Sequence, residues 1–122
     1  MKENIVKDKS YAFALRIVKL SQILIAEHKE FVLSKQLLRS GTAAGALIRE
    51  AEHAQSRADF VNKMNIALKE ANETDYWLSL LKDAGYLSLE GYNSMNKDVQ
   101  ELVKLLASIV KTIKNEKISN PK

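Results

Sequence analysis

One stripe constrains this chain more than any other feature. Phe60, Met64, Ala67, Ala71, Thr74, Leu78 and Leu81 recur at alternating spacings of four and three. At about 100° per residue, these side chains fall within roughly 60° of one line, the seam of a helix that packs along its whole length. No β-branched alternating run competes with it. Four glycines and a single proline, Pro121, exclude collagen-like, proline-rich and most turn-dense β architectures. The expectation is an all-α fold.

The ends of this helix are also legible. Ser56 with Asp59 three residues on is a capping-box-like start, and Gly85 stands where a left-handed C-terminal cap belongs. Three further helices follow from periodicity. The first spans about 10–28, with Ser10 as N-cap and Ala14, Ile17, Val18, Ser21, Leu24 and Ile25 on one face. The second spans about 34–54, capped by Ser34, with the stripe Leu37, Gly41, Ala44, Ile48 and Ala51. The fourth spans about 88–117, opened by Ser88, with Val99, Leu102, Leu106, Ile109 and Ile113 aligned, and a polar tail at 118–122. Gly41 and Gly45 each cost about 1 kcal/mol against alanine inside a helix. Either they admit a neighbouring backbone closely, or Ser40-Gly41-Thr42 is a true break. The architecture expected is an antiparallel up-down-up-down four-helix bundle, one domain over residues 1–122.

Composition narrows the function. There is no cysteine, so disulfides, thiolate nucleophiles and thiolate metal sites are excluded. The charged start, Met1 to Lys9, lacks a signal peptide's apolar stretch, and no uncharged apolar run reaches about 18 residues. A cytoplasmic protein with no membrane segment is expected. Nineteen basic against fifteen acidic residues give +4, which permits a polyanionic partner without demanding one.

Enzymatic chemistry finds little purchase. Glu50 and His53 have the Glu-x-x-His spacing of di-iron bundles, but Glu27 adjoins His28, so no second pair exists, and both residues fall opposite the second helix's stripe. No metal site and no cofactor are expected. Glu70 and Glu73 read as an acid/base pair only if a pocket separates their pKa values; Lys63, Lys69 and Arg57 offer simple ion-pair partners instead. Nucleophile elbow, phosphate loop and zinc signature are all missing. A non-enzymatic protein is expected.

Two surfaces remain. Lys35, Arg39, Arg49 and His53 share the second helix's outer face, while Lys97, Lys104 and Lys111 recur every seven residues on the fourth. Such rows are either solvated helix faces or phosphate contacts to RNA or DNA, and without interleaved aromatics any recognition is directed at the backbone. Phe13, Leu20 and Ile23 on the first helix, and Ile66, Trp77 and Leu80 on the third, sit off the main stripes. They either broaden the core or form an interface with another subunit.

The runs Gln36-Leu37-Leu38-Arg39-Ser40-Gly41-Thr42, Ser56-Arg57-Ala58-Asp59-Phe60, Lys69-Glu70-Ala71, Glu73-Thr74 and Tyr76-Trp77-Leu78, with the opening Ser10-Tyr11-Ala12-Phe13-Ala14, resemble the 23S rRNA intervening-sequence protein family. The resemblance covers about Ser10 to Lys114. It departs in the second helix, where Ala43 and Leu47 replace the family's Ser and Asn; the apolar replacements point to packing between helices. A related protein, the accessory variability determinant of diversity-generating retroelements, is a homopentamer of such bundles that binds nucleic acid and a reverse transcriptase. The resemblance therefore implies a homo-oligomer, a pentamer by this analogy, with nucleic acid and a reverse-transcriptase-type protein as partners. Arg39 and Lys69 match family positions. The leading expectation is a homo-oligomeric nucleic-acid-binding or accessory protein; the alternative is a protein-interaction scaffold.

Overall fold

A computed structural model describes residues 2–119. It contains α1 (Lys2–His28), α2 (Val32–Ala51), α3 (Arg57–Asp83) and α4 (Leu89–Ser119), and no strand occurs among the described residues. The links are short, so consecutive helices run antiparallel and pack side by side, and α1 closes the ring against α4. The diagonal helices keep their backbones apart. The chain is an all-α, up-down-up-down four-helix bundle.

Its third helix follows the sequence closely. Met64, Ala67, Ala71, Thr74, Leu78 and Leu81 are buried and Phe60 is half-buried. The Ser56 hydroxyl accepts from the Asp59 N–H at 3.0 Å, while the Asp59 carboxylate accepts from Gln55 N–H at 3.1 Å rather than from Ser56 itself. At the other end Gly85 adopts φ 90°, letting Gly85 N–H reach the Lys82 carbonyl and Tyr86 N–H the Leu81 carbonyl. This is a Schellman cap, and its positive φ favours glycine. Ser88 caps α4 by accepting from Gly91 N–H at 2.9 Å.

The starts of α1 and α2 differ from expectation. α1 begins at Lys2, not Ser10. Ser10 is buried mid-helix and donates to the Lys7 carbonyl at 2.9 Å, while Val6 extends the core about one turn further back. α2 begins at Val32, because Glu30 does the capping instead of Ser34: its carboxylate accepts from Ser34 N–H at 2.8 Å, and the Ser34 hydroxyl donates back to the Glu30 carbonyl. Lys29 makes the turn at φ 53°, and Glu30 N–H closes α1 on the Leu24 carbonyl. α2 ends at Ala51, short of residue 54, and α4 continues to Ser119, so the expected polar tail is helical at 118–119 and otherwise lies outside the described residues.

α1 is also rotated from its expected setting. Its buried line is Val6, Ser10, Phe13, Ile17, Ser21 and Leu24, while Ile25 is exposed. The pivot is Ile17 against Gly41, where a β-carbon on the glycine would fall 2.7 Å from Ile17 Cγ1. α2 is unbroken at Ser40-Gly41-Thr42, and Gly41 is there for close approach. Gly45 is less confined, its nearest neighbour being the Ser10 carbonyl at 3.5 Å.

Candidate nucleic-acid interface

Lys97, Lys104 and Lys111 lie exposed along α4, two helical turns apart, which is about 10.5 Å per step. None has an ion-pair partner among the described residues. Of the two acids between the first pair, Glu101 is drawn toward α1 by Lys9 at 3.2 Å and Asp98 by Arg16 at 2.6 Å. Other cations are engaged: Lys7 with Glu52, Arg16 with Asp98, Arg57 with Glu116, and Lys63 with Glu50 and Asp59. Lys7's hydrogen bond holds the Glu52 carboxyl below its ordinary range, with the charges of Lys7, His53 and Arg49 adding to the effect against a desolvation cost.

The α2 residues do not join this row. α2 and α4 are diagonal, so Lys35, Arg39 and Arg49 lie around the bundle from the α4 lysines. Lys35 is exposed and unpaired among the described residues. Arg39 instead spans to α3, its guanidinium donating to Glu70 at 3.1 Å and to Glu73, which also accepts from the Trp77 indole at 2.9 Å. Arg39 thus ties two helices together and neutralises both carboxylates, the partner that sequence reasoning assigned to Lys63, Lys69 and Arg57. Arg49 lies over the Tyr11 ring, 5.6 Å from its centroid.

The expected second apolar face changes likewise. Phe13 is 3% exposed and belongs to the core, so it is unavailable to another subunit. Leu20 and Trp77 are half-buried and packed on that core, while Ile66 and Leu80 are half-buried on the flank of α3. Leu20 and Ile23 line a groove of about 680 Å³ between α1 and the start of α4, with Arg16, Lys19, Leu87 and Met95. Sequence reading missed Tyr11, Leu15 and Leu38, and placed Ile25 on the core stripe; all four are exposed on α1 and α2. The signal was the breadth of apolar residues around α1, too wide for one core stripe. Glu50, in the last turn of α2, and His53, in the turn that follows the helix, are both exposed.

A buried hydrogen bond completes the α2–α3 junction. The Thr74 hydroxyl donates to the Glu70 carbonyl at 2.8 Å and is hydrogen-bonded to the Ser40 hydroxyl at 3.0 Å. Arg39, Ser40 and Gly41 therefore meet Glu70, Glu73, Thr74 and Ile17, and most of these residues carry the family resemblance. The family model described as 23S rRNA-intervening sequence protein matches residues 2–108. The chain belongs to that family. A crystal structure from Bacteroides thetaiotaomicron VPI-5482, titled as a protein with unknown function from the S23 ribosomal protein family, is similar at 65% identity and a TM-score of 0.90, covering 91% of this chain and 99% of that one. No curated protein matches. In this intervening-sequence protein, the motif around Arg39 joins α2 to α3. Of the residues that replace the family's Ser and Asn, Ala43 is half-buried and Leu47 packs on the core. No described helix is long and apolar enough to cross a membrane.

Proposed function

We propose that this intervening-sequence protein is a non-enzymatic, cytoplasmic nucleic-acid-binding protein that works as a homo-oligomer and holds phosphates along α4. The observation that carries this reading is the row Lys97, Lys104 and Lys111, exposed, evenly spaced and unpaired among the described residues, while Lys7, Lys9, Arg16, Arg39, Arg57, Lys63 and Lys82 are matched by acids. Three charges per chain make a weak field, and repetition around a symmetry axis multiplies it. The α1–α4 groove at Leu20 and Ile23 and the α3 flank at Ile66 and Leu80 are different surfaces. A head-to-tail contact between them closes into a ring when the rotation per copy divides a full turn.

Titration of structured RNA and duplex DNA at several salt concentrations tests the proposal. Binding is expected to be insensitive to sequence and steeply salt-dependent. The double variant Lys104→Gln, Lys111→Gln should weaken every sequence alike and flatten the salt slope by about two per bound chain. No affinity at about 50 mM salt would replace this reading with a protein-interaction scaffold. Light scattering checks assembly against the 13.8 kDa monomer.

A further inference from the structure

Tyr11 is more than half exposed on α1, and the Arg49 guanidinium of α2 covers one side of its ring. The pair walls a groove of about 320 Å³ between the two helices, floored by Ala14, Thr42, Gly45 and Ala46. Gly45 is the informative member of that floor. A β-carbon there would make only ordinary contact, 3.5 Å from the Ser10 carbonyl, so packing does not require glycine. Glycine weakens a helix interior relative to alanine, and what it provides at this position is depth.

We infer that this ledge receives an unpaired nucleobase, so that the nucleic acid this protein binds is single-stranded or presents an unpaired loop. The inference rests on the phosphate-binding reading of α4 and goes beyond it, because lysines on a helix accept any phosphate backbone whereas a base inside a duplex has no free face to stack. An exposed aromatic ring beside a guanidinium supplies a flat apolar face for the base and a cation for its phosphate. Arg49 is that cation, since Lys7 at the groove's end is held by Glu52 at 2.7 Å. The small floor admits a flat ring edge-on, and a groove of this size lies within the range that holds small ligands.

Fluorescence anisotropy with an unstructured oligouridylate of about 20 nucleotides, and with a duplex of equal length, decides the matter when run on wild type and on Tyr11→Ala, Tyr11→Phe and Arg49→Lys. The wild-type protein should bind both. Tyr11→Ala should lose about tenfold on the single strand, with duplex affinity unchanged, and Tyr11→Phe should retain stacking and affinity. Arg49→Lys keeps the charge but loses the planar cover, and should weaken the single strand selectively. An equal loss on both probes, or none, overturns the ledge while leaving the α4 reading intact. A fall in molar mass for Tyr11→Ala in light scattering also overturns it, by showing a contact between copies. If wild type binds neither probe, the phosphate reading itself has failed.

Discussion

Gly41 of α2 and Ile17 of α1 touch so closely that an added β-carbon would lie 2.7 Å from Cγ1 and 2.8 Å from Cγ2 of the isoleucine. Ile17 is fully buried and branched at Cβ, so it has little freedom to retreat. Overpacking of this kind costs about 1–3 kcal/mol, against a gain of about 1 kcal/mol in helix propensity. Gly41→Ala is therefore expected to lower stability, and Gly45→Ala, with only ordinary contacts, to raise it. Urea denaturation of the two variants should move the midpoints in opposite directions.

Arg39 is the second test. Its carboxylate partners Glu70 and Glu73 are partly shielded, so Arg39→Gln should cost on the order of 1 kcal/mol in thermal or urea unfolding. Because the guanidinium is occupied within the chain, nucleic-acid affinity should hold. A loss of affinity matching that of the Lys104 and Lys111 variants would return Arg39 to the binding surface.

Asp75 of α3 supports the opposite seam. Its carboxylate accepts from Asn96 at 2.8 Å, from Gln100 at 3.1 Å and from the Tyr92 hydroxyl at 3.3 Å, all on one line of α4. Asp75→Ala removes the shared acceptor of three half-buried donors, and should destabilise the bundle by about 1–3 kcal/mol. Chemical denaturation measures this. A change within about 0.5 kcal/mol would show that water replaces the carboxylate.

Acid should loosen the contact between the start of α1 and the end of α2. The Glu52 carboxyl is held below its ordinary value of 4.5, first by the hydrogen bond from Lys7. A carboxyl depressed on folding stabilises the native state at pH above its unfolded value, and that contribution disappears as pH falls through the lower folded value. Lys7→Met should reduce this acid-sensitive component, leaving the smaller effects of His53 and Arg49. NMR titration of the Glu52 side chain in both proteins should show its midpoint rising in the variant.

Local signals were strong where one helix or one turn decides the outcome. The α3 seam, the Ser56 and Ser88 caps and the Gly85 turn depend on residues within a few positions of each other, so periodicity and capping chemistry suffice. Four helices joined by short links leave few arrangements other than an antiparallel bundle. The family could likewise be read from the runs containing Arg39-Ser40-Gly41 and Glu73-Thr74.

Tertiary structure decided what depends on rotation and on neighbours. α1 is apolar over a broad arc, and only the fit of Ile17 against Gly41 turns Phe13 inward and leaves Tyr11, Leu15 and Ile25 outside. A helical wheel counts Arg39 and Lys104 as equal exposed cations, but it cannot see that Glu70 and Glu73 of another helix claim the first while the second stands alone. Nor can it place α2 and α4 at opposite corners, which separates two basic rows that look like one surface on paper. Charge is written in the sequence, whereas its neutralisation is a long-range property of packing.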